Sequence, residues 1–136
     1  MSEKSASNAR ELSNGEARLR LAKGPLAGAV LCRVVSMLLT RADWPVDRLH
    51  DAMLVCDALS AHAPDYTENG TVAFELSELG NGEVELCVQE LNAEGAEGIL
   101  RDAMLPGVGN VLEKIPKSVR PETTEAGSCL KLVLSR

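Results

Sequence analysis

The stretch Thr71-Val72-Ala73-Phe74-Glu75-Leu76-Ser77-Glu78-Leu79-Gly80-Asn81-Gly82-Glu83-Val84-Glu85-Leu86-Cys87-Val88-Gln89 decides the fold. Val72, Phe74 and Leu76 fall on one side of its first half, and Val84, Leu86 and Val88 on one side of its second. A period of two places alternate side chains on one face of a strand, and Gly-Asn-Gly supplies residues that tolerate left-handed backbone. The stretch therefore reads as a β-hairpin with one apolar face. The turn signal Glu68-Asn69-Gly70 leads into it. Such a face needs a second layer to cover it.

Upstream, Leu26, Val30, Leu31, Val34, Val35, Leu38 and Leu39 recur at three and four residues over 25–40, with Pro25 suited to a first helical turn. Arg33 is the central charge of this helix and reads as solvated or lying along the apolar face. Ala42-Asp43-Trp44-Pro45 breaks the pattern. A second helix is expected from Val46 or Asp47, with Leu49, Ala52, Met53, Cys56, Leu59 and Ala63 on one stripe before Pro64 ends it. Ahead of both, Glu16-Ala17-Arg18-Leu19-Arg20-Leu21-Ala22 alternates like a half-buried strand, ended by Lys23-Gly24-Pro25. Residues 1–13 are polar and read as a flexible tail, leaving 14–136 as a single domain.

Downstream, 90–96 reads as a loop or lid, since Gly95 and Gly98 disfavour long regular structure, and a short amphipathic piece over 99–105 follows. Pro106-Gly107-Val108-Gly109-Asn110-Val111-Leu112-Glu113-Lys114-Ile115 then runs a glycine turn into an apolar-periodic helix expected to reach about Pro116. Glycines let backbone approach a ligand, and a helix start offers unpaired N–H groups to an anion. Any tight loop before a helix has the same look. Residues 117–126, with Pro121, are exposed and include a short edge strand, and Gly127-Ser128 opens a last strand with Leu130, Leu132 and Leu134 in phase. The order predicts an α+β two-layer sandwich: one mixed, mostly antiparallel sheet with helices on one face.

The 136 residues suit one domain with a real core. Only 2% are aromatic against 45% hydrophobic, so Leu, Val, Ala and Met must fill that core, and no ring platform exists for stacking single-stranded nucleic acid. A net charge of −6 argues against any nucleic-acid partner, whose affinity rests on clustered Lys and Arg. Cys32, Cys56, Cys87 and Cys129 are far apart, show no C-x-x-C spacing and lie in apolar runs, which predicts reduced buried thiols and neither a zinc site nor a disulfide frame. With no signal-peptide pattern and no 18-residue apolar span, a cytoplasmic protein with no membrane partner is expected.

In its order of elements and the placing of its glycines, the chain from about residue 16 to 136 resembles the GHKL or Bergerat ATP-binding fold of histidine-kinase-like ATPases, most closely the small bacterial branch of anti-sigma-factor serine kinases. In that family a helix supplies Glu and, four residues on, Asn to hold water and Mg²⁺. A strand ends in Asp-x-Gly-x-Gly, whose Asp reads adenine. A glycine turn wraps the phosphates, and Gly-Thr opens the last strand. By this resemblance Asp57 takes the Glu position and Ala61 the Asn position, with Ser60 and His62 within a turn of them. Glu90 stands for the adenine-reading Asp, and Asn92 replaces the first glycine after it. Gly107 and Gly109 match the phosphate turn, with Asn110 where Leu is common, and Gly127-Ser128 stands in for Gly-Thr. The motifs that need only backbone geometry persist, while those that need polar side chains are eroded.

The resemblance implies a regulator acting by protein–protein binding in bacterial transcription control, with nucleotide binding weakened or lost. Its partner would be a sigma factor or a small α/β anti-sigma antagonist, with a homodimer through the first strand and helix also in view. Two rivals remain. One is an active ATP- and Mg²⁺-dependent serine/threonine kinase in which Asp57 is catalytic and Glu90 a variant ligand. The other is a histidine phosphotransfer module using His50, which precedes Asp51 on a helix. His62, near a helix end, reads as a partner of terminal carbonyls rather than of a metal.

Overall fold

A computed structural model describes residues 15–136. The reading of 1–13 as a tail lies outside the described residues. In chain order the elements are β1 (Glu16–Ala22), α1 (Ala27–Arg41), α2 (Val46–His62), a 3₁₀ turn (Ala63–Tyr66), β2 (Thr71–Gly80), β3 (Glu83–Leu91), α3 (Gly95–Asp102), β4 (Met104–Leu105), β5 (Gly109–Asn110), α4 (Val111–Lys114), β6 (Ser118–Thr124) and β7 (Gly127–Leu134). The main sheet has the order β1-β2-β3-β7-β6, and β4-β5 form a separate two-stranded ribbon. The α+β sandwich is as expected. Where a mixed, mostly antiparallel sheet was expected, every pairing is antiparallel, β2-β3 and β6-β7 through short turns and β1-β2 and β3-β7 through longer connections.

The hairpin forms as the alternation requires. Asn81 and Gly82 both have positive φ, 45° and 84°, the backbone of a tight two-residue connection whose twist matches the strands. Register then assembles the core in rows. Leu19, Phe74, Val88 and Leu130 lie side by side across four strands, and Ala17, Leu76, Leu86, Leu132 and Val119 form the next row. Leu31, Val35, Leu38 and Leu39 of α1 and Ala52, Val55, Cys56 and Leu59 of α2 cover these rows in one continuous cluster. The opposite sheet face carries the row Arg18, Glu75, Cys87, Lys131 and Arg120. A face built of charges stays in water, which is why the helices lie on one side only. Trp44, in the break between the helices, donates its ring N–H to the Gly82 carbonyl at 2.7 Å and so ties the helical layer to the hairpin turn.

Three local expectations change. Leu26 and Val30, placed on the apolar stripe of α1, are exposed, so that stripe is narrower than its composition. The helix after the glycine turn is a single turn, Val111–Lys114. Residues 95–102 are helical despite Gly95 and Gly98, because a β-carbon at Gly98 would lie 2.4 Å from the Tyr66 ring. These glycines are the seat of an aromatic side chain, and this packing outweighs their poor helix propensity of about 1 kcal/mol each. No helix among the described residues is long and apolar enough to cross a membrane.

The central position of Leu86 sets a test of this core. Leu86→Ala should lower stability by about 3 kcal/mol, as other large-to-small core changes do. Leu79→Ala, at the edge of the hairpin and 46% exposed, should change it by less than about 0.5 kcal/mol, both read from urea midpoints.

Candidate functional site

The α2 residues Leu54, Asp57, Ala58, Ala61 and His62, three or four apart, share a face that forms one wall of a cavity of about 240 Å³; Ala103, Met104, Leu105 and Val111 form the other. The glycine stretch thus does meet the helix that carries Asp57. Asp57 Oδ1 accepts a hydrogen bond from the Cys32 thiol at 3.6 Å, and Ala61 contributes only a methyl group. The cavity therefore offers one carboxylate among mainly apolar atoms.

The glycine turn satisfies itself. Pro106 and Gly107 occupy the centre of a β-turn closed by the Val108 N–H on the Leu105 carbonyl at 3.0 Å, and Gly107 takes the positive φ of 81° required after proline in such a turn. Gly109, at φ 98°, pairs with Leu105 across the β4-β5 ribbon. Asn110 then caps α4: its Oδ1 accepts the N–H groups of Leu112 at 3.0 Å and Glu113 at 3.2 Å, while its amide donates to the Leu100 carbonyl. The unpaired N–H groups expected for an anion at this helix start are the ones Asn110 engages. Lys114 Nζ is likewise taken up by the Val108 carbonyl, at 2.6 Å. Met104, Leu105 and Val108 are left exposed along the ribbon.

Glu90 lies elsewhere. It has φ 62° at the irregularity between Val88 and Leu91, and its carboxylate receives both Arg20 guanidinium nitrogens, at 2.9 and 2.6 Å. That hydrogen-bonded pair raises the Arg20 pKa. Glu90, Arg20, Thr67, Glu68, Asn69 and Thr71 line a separate polar pocket of about 220 Å³, which shares no residue with the cavity at Asp57.

Asn92, Gly127 and Ser128 come together as a joint. The Ser128 hydroxyl donates to the Asn92 carbonyl at 2.6 Å and accepts the Ala96 N–H at 3.0 Å, so both of its capacities serve the start of α3. Asn92 Oδ1 accepts the Glu94 N–H, and the Asn92 N–H donates to the Tyr66 carbonyl at 2.8 Å. At Gly127 a β-carbon would lie 2.0 Å from the Leu91 carbonyl oxygen, so no other residue fits. His50 is exposed on α2, and the carboxylate of its neighbour Asp51 is held by Arg48 at 2.7 Å.

The chain matches no known family model and no curated protein. The donors must therefore speak for themselves. Among the described residues no three His, Cys, Asp or Glu side chains are grouped to hold a metal ion. Asp57 alone does not fit Mg²⁺, which needs several oxygens in octahedral array, and a triphosphate would bring its charge to a carboxylate and an apolar wall.

Sequence reasoning missed Tyr66. Its hydroxyl donates to Asp102 at 2.6 Å and accepts from Arg101 at 2.9 Å, so that hydrogen bond lowers the Asp102 pKa and raises that of Tyr66. The signal was present in Gly95 and Gly98, three apart on one face of a helix that needed a partner.

Two substitutions test this assignment of structural roles. Gly127→Ala should lower stability by more than about 3 kcal/mol through its clash with backbone, whereas Asn110→Ala should lower it by about 1 kcal/mol through loss of the cap. Urea denaturation at matched protein concentration reads both.

Proposed function

We propose that this protein is a regulator of the anti-sigma-factor serine kinase type that works by binding a protein partner, with its nucleotide site weakened or lost. The observation that carries the reading is the state of the glycine turn. Its polar groups are engaged by Leu105, Asn110 and Lys114, and what it turns outward is Met104, Leu105 and Val108, exposed by 63%, 37% and 39%. Exposed apolar residues grouped beside a cavity suit contact with another protein better than contact with a polyphosphate. The outer stripe of α1 adds Leu26, Val30 and Met37, with Arg33 and Arg41 beside Met37. The start of α1 and the ribbon both flank the C-terminal half of α2, since Gly28 packs on Ser60 and the ribbon packs over Ala61 and His62, while Met37 lies beside Ser36, which meets Met53 in the other half. A sigma factor or a small α/β antagonist with an apolar face and acidic flanks would complement them.

Phosphoryl transfer relies on positioning and on neutralising charge, and neither Asp57 nor Glu90 has the neighbours to do so. Asp57 holds a thiol and Glu90 an arginine.

The test is direct binding to purified sigma factors and small α/β antagonists from the source organism, by biolayer interferometry. One of them should bind with micromolar or tighter affinity. Met104→Glu combined with Val108→Glu, on exposed positions that leave thermal stability unchanged, should weaken it at least about tenfold. Equal binding by the variant, or no binding by any candidate, overturns the reading; acid-labile phosphate on His50 would put the phosphotransfer reading in its place.

A further inference from the structure

All four cysteines are free thiols, and the packing of two helices brings the turn of Cys32 beside the turn of Cys56. Helices α1 and α2 run antiparallel in contact, and their contacts step along the pair at helical spacing. A β-carbon at Gly28 would lie 2.9 Å from the Ser60 hydroxyl, and the Ser36 hydroxyl donates to the Met53 sulfur at 3.8 Å. One turn on from Gly28 is Cys32, and one turn back from Ser60 is Cys56. The glycine brings the two helices close at the adjacent turn. Cys32 is half-buried and open to small solutes, Cys56 is buried, and Asp57, the hydrogen-bond acceptor of Cys32, follows Cys56 directly.

We infer that Cys32 and Cys56 form a peroxide-oxidisable dithiol, in which Cys32 reacts first and Cys56 resolves it to a disulfide that locks α1 to α2. The hydrogen bond from the Cys56 thiol lowers the Cys32 pKa below the ordinary thiol value, and the same bond, followed by burial, raises that of Cys56. Cys32 is the more accessible sulfur of the pair, so it is the one that meets peroxide, and it reacts as its thiolate. Its sulfur attacks one oxygen of hydrogen peroxide, the O–O bond breaks, and the departing hydroxide takes up a proton to become water. Cys32 is then a sulfenic acid. Its charge, with the hydrogen bond the largest cause of Cys56's reluctance to ionise, is gone. The Cys56 sulfur attacks the Cys32 sulfur, the S–O bond breaks, and the leaving hydroxide carries off the Cys56 proton as a second water. Two thiols have lost two electrons and one peroxide has gained them.

The second pair is a built-in contrast. Cys87 and Cys129 are neighbours on β3 and β7, but Cys87 is buried, and that burial, first among the causes, pushes its thiol up to about 12. Cys87 is not placed to supply a thiolate.

The experiment uses the full reduced chain, treated with hydrogen peroxide, alkylated and mapped without reduction by mass spectrometry. The expected product is one intramolecular Cys32–Cys56 linked peptide, with Cys32 lost at least about tenfold faster than Cys87. Cys32→Ser should stop the thiol loss, Cys87→Ser should leave it unchanged, and Cys56→Ser should leave a Cys32 sulfenic acid that dimedone traps. Four surviving thiols, a Cys87–Cys129 or intermolecular link formed first, or undiminished thiol loss in Cys32→Ser would overturn the inference.

Discussion

The whole end of the fold from α3 to the β4-β5 ribbon depends on how closely β7 approaches the end of β3. Gly127 stands so near the Leu91 carbonyl that a single methyl group would overlap it, and this approach puts the Ser128 hydroxyl between the Asn92 carbonyl and the Ala96 N–H. A buried hydroxyl with both its donor and its acceptor satisfied is a firm joint. From it α3 starts in a fixed direction, Gly95 and Gly98 meet Tyr66, and Tyr66 reaches Asp102 and Arg101. Ala103 then receives the Val111 N–H, which closes the β4-β5 ribbon over α2. A chain of close contacts thus runs from one glycine to the cavity beside Asp57.

That arrangement has a chemical consequence. The polar side chains around the glycine turn and the joint are aimed at the protein. Asn110 holds the helix start, Lys114 holds the turn, Ser128 holds the joint and Glu90 holds Arg20. Each of these bonds removes a polar group from the set available to a nucleotide, and what remains in the open is Met104, Leu105 and Val108. The Arg20–Glu90 pair is more than half exposed at both side chains, so screening leaves it little weight in stability, and its interest is that it commits Glu90.

The sheet was readable in the sequence because period-two alternation is a local property: Val72, Phe74 and Leu76 state their face without reference to anything distant. The same holds for the Asn81-Gly82 turn and for the helices that cover the hairpin. What could not be read was set by contacts far apart in the chain. Gly95 and Gly98 look like helix breakers until Tyr66, some thirty residues earlier, is known to pack on them. Asp57, Glu90 and Asn92 follow a motif in order, yet strand register sends Glu90 to Arg20 and leaves Asp57 in a different cavity. Cys32 and Cys56 seemed unrelated at their separation in sequence, and only the antiparallel packing of two helices brings their turns side by side. The helix after Gly109 was over-extended because an apolar run of four or five residues does not fix its own length.

Titration calorimetry of the reduced protein with Mg-ATP shows whether the glycine turn and its neighbours still hold a nucleotide. No saturable heat is expected up to about 1 mM ligand, an affinity weaker than about −4 kcal/mol. Micromolar binding that disappears in Asp57→Ala would overturn the reading of a weakened or lost site and favour the kinase alternative.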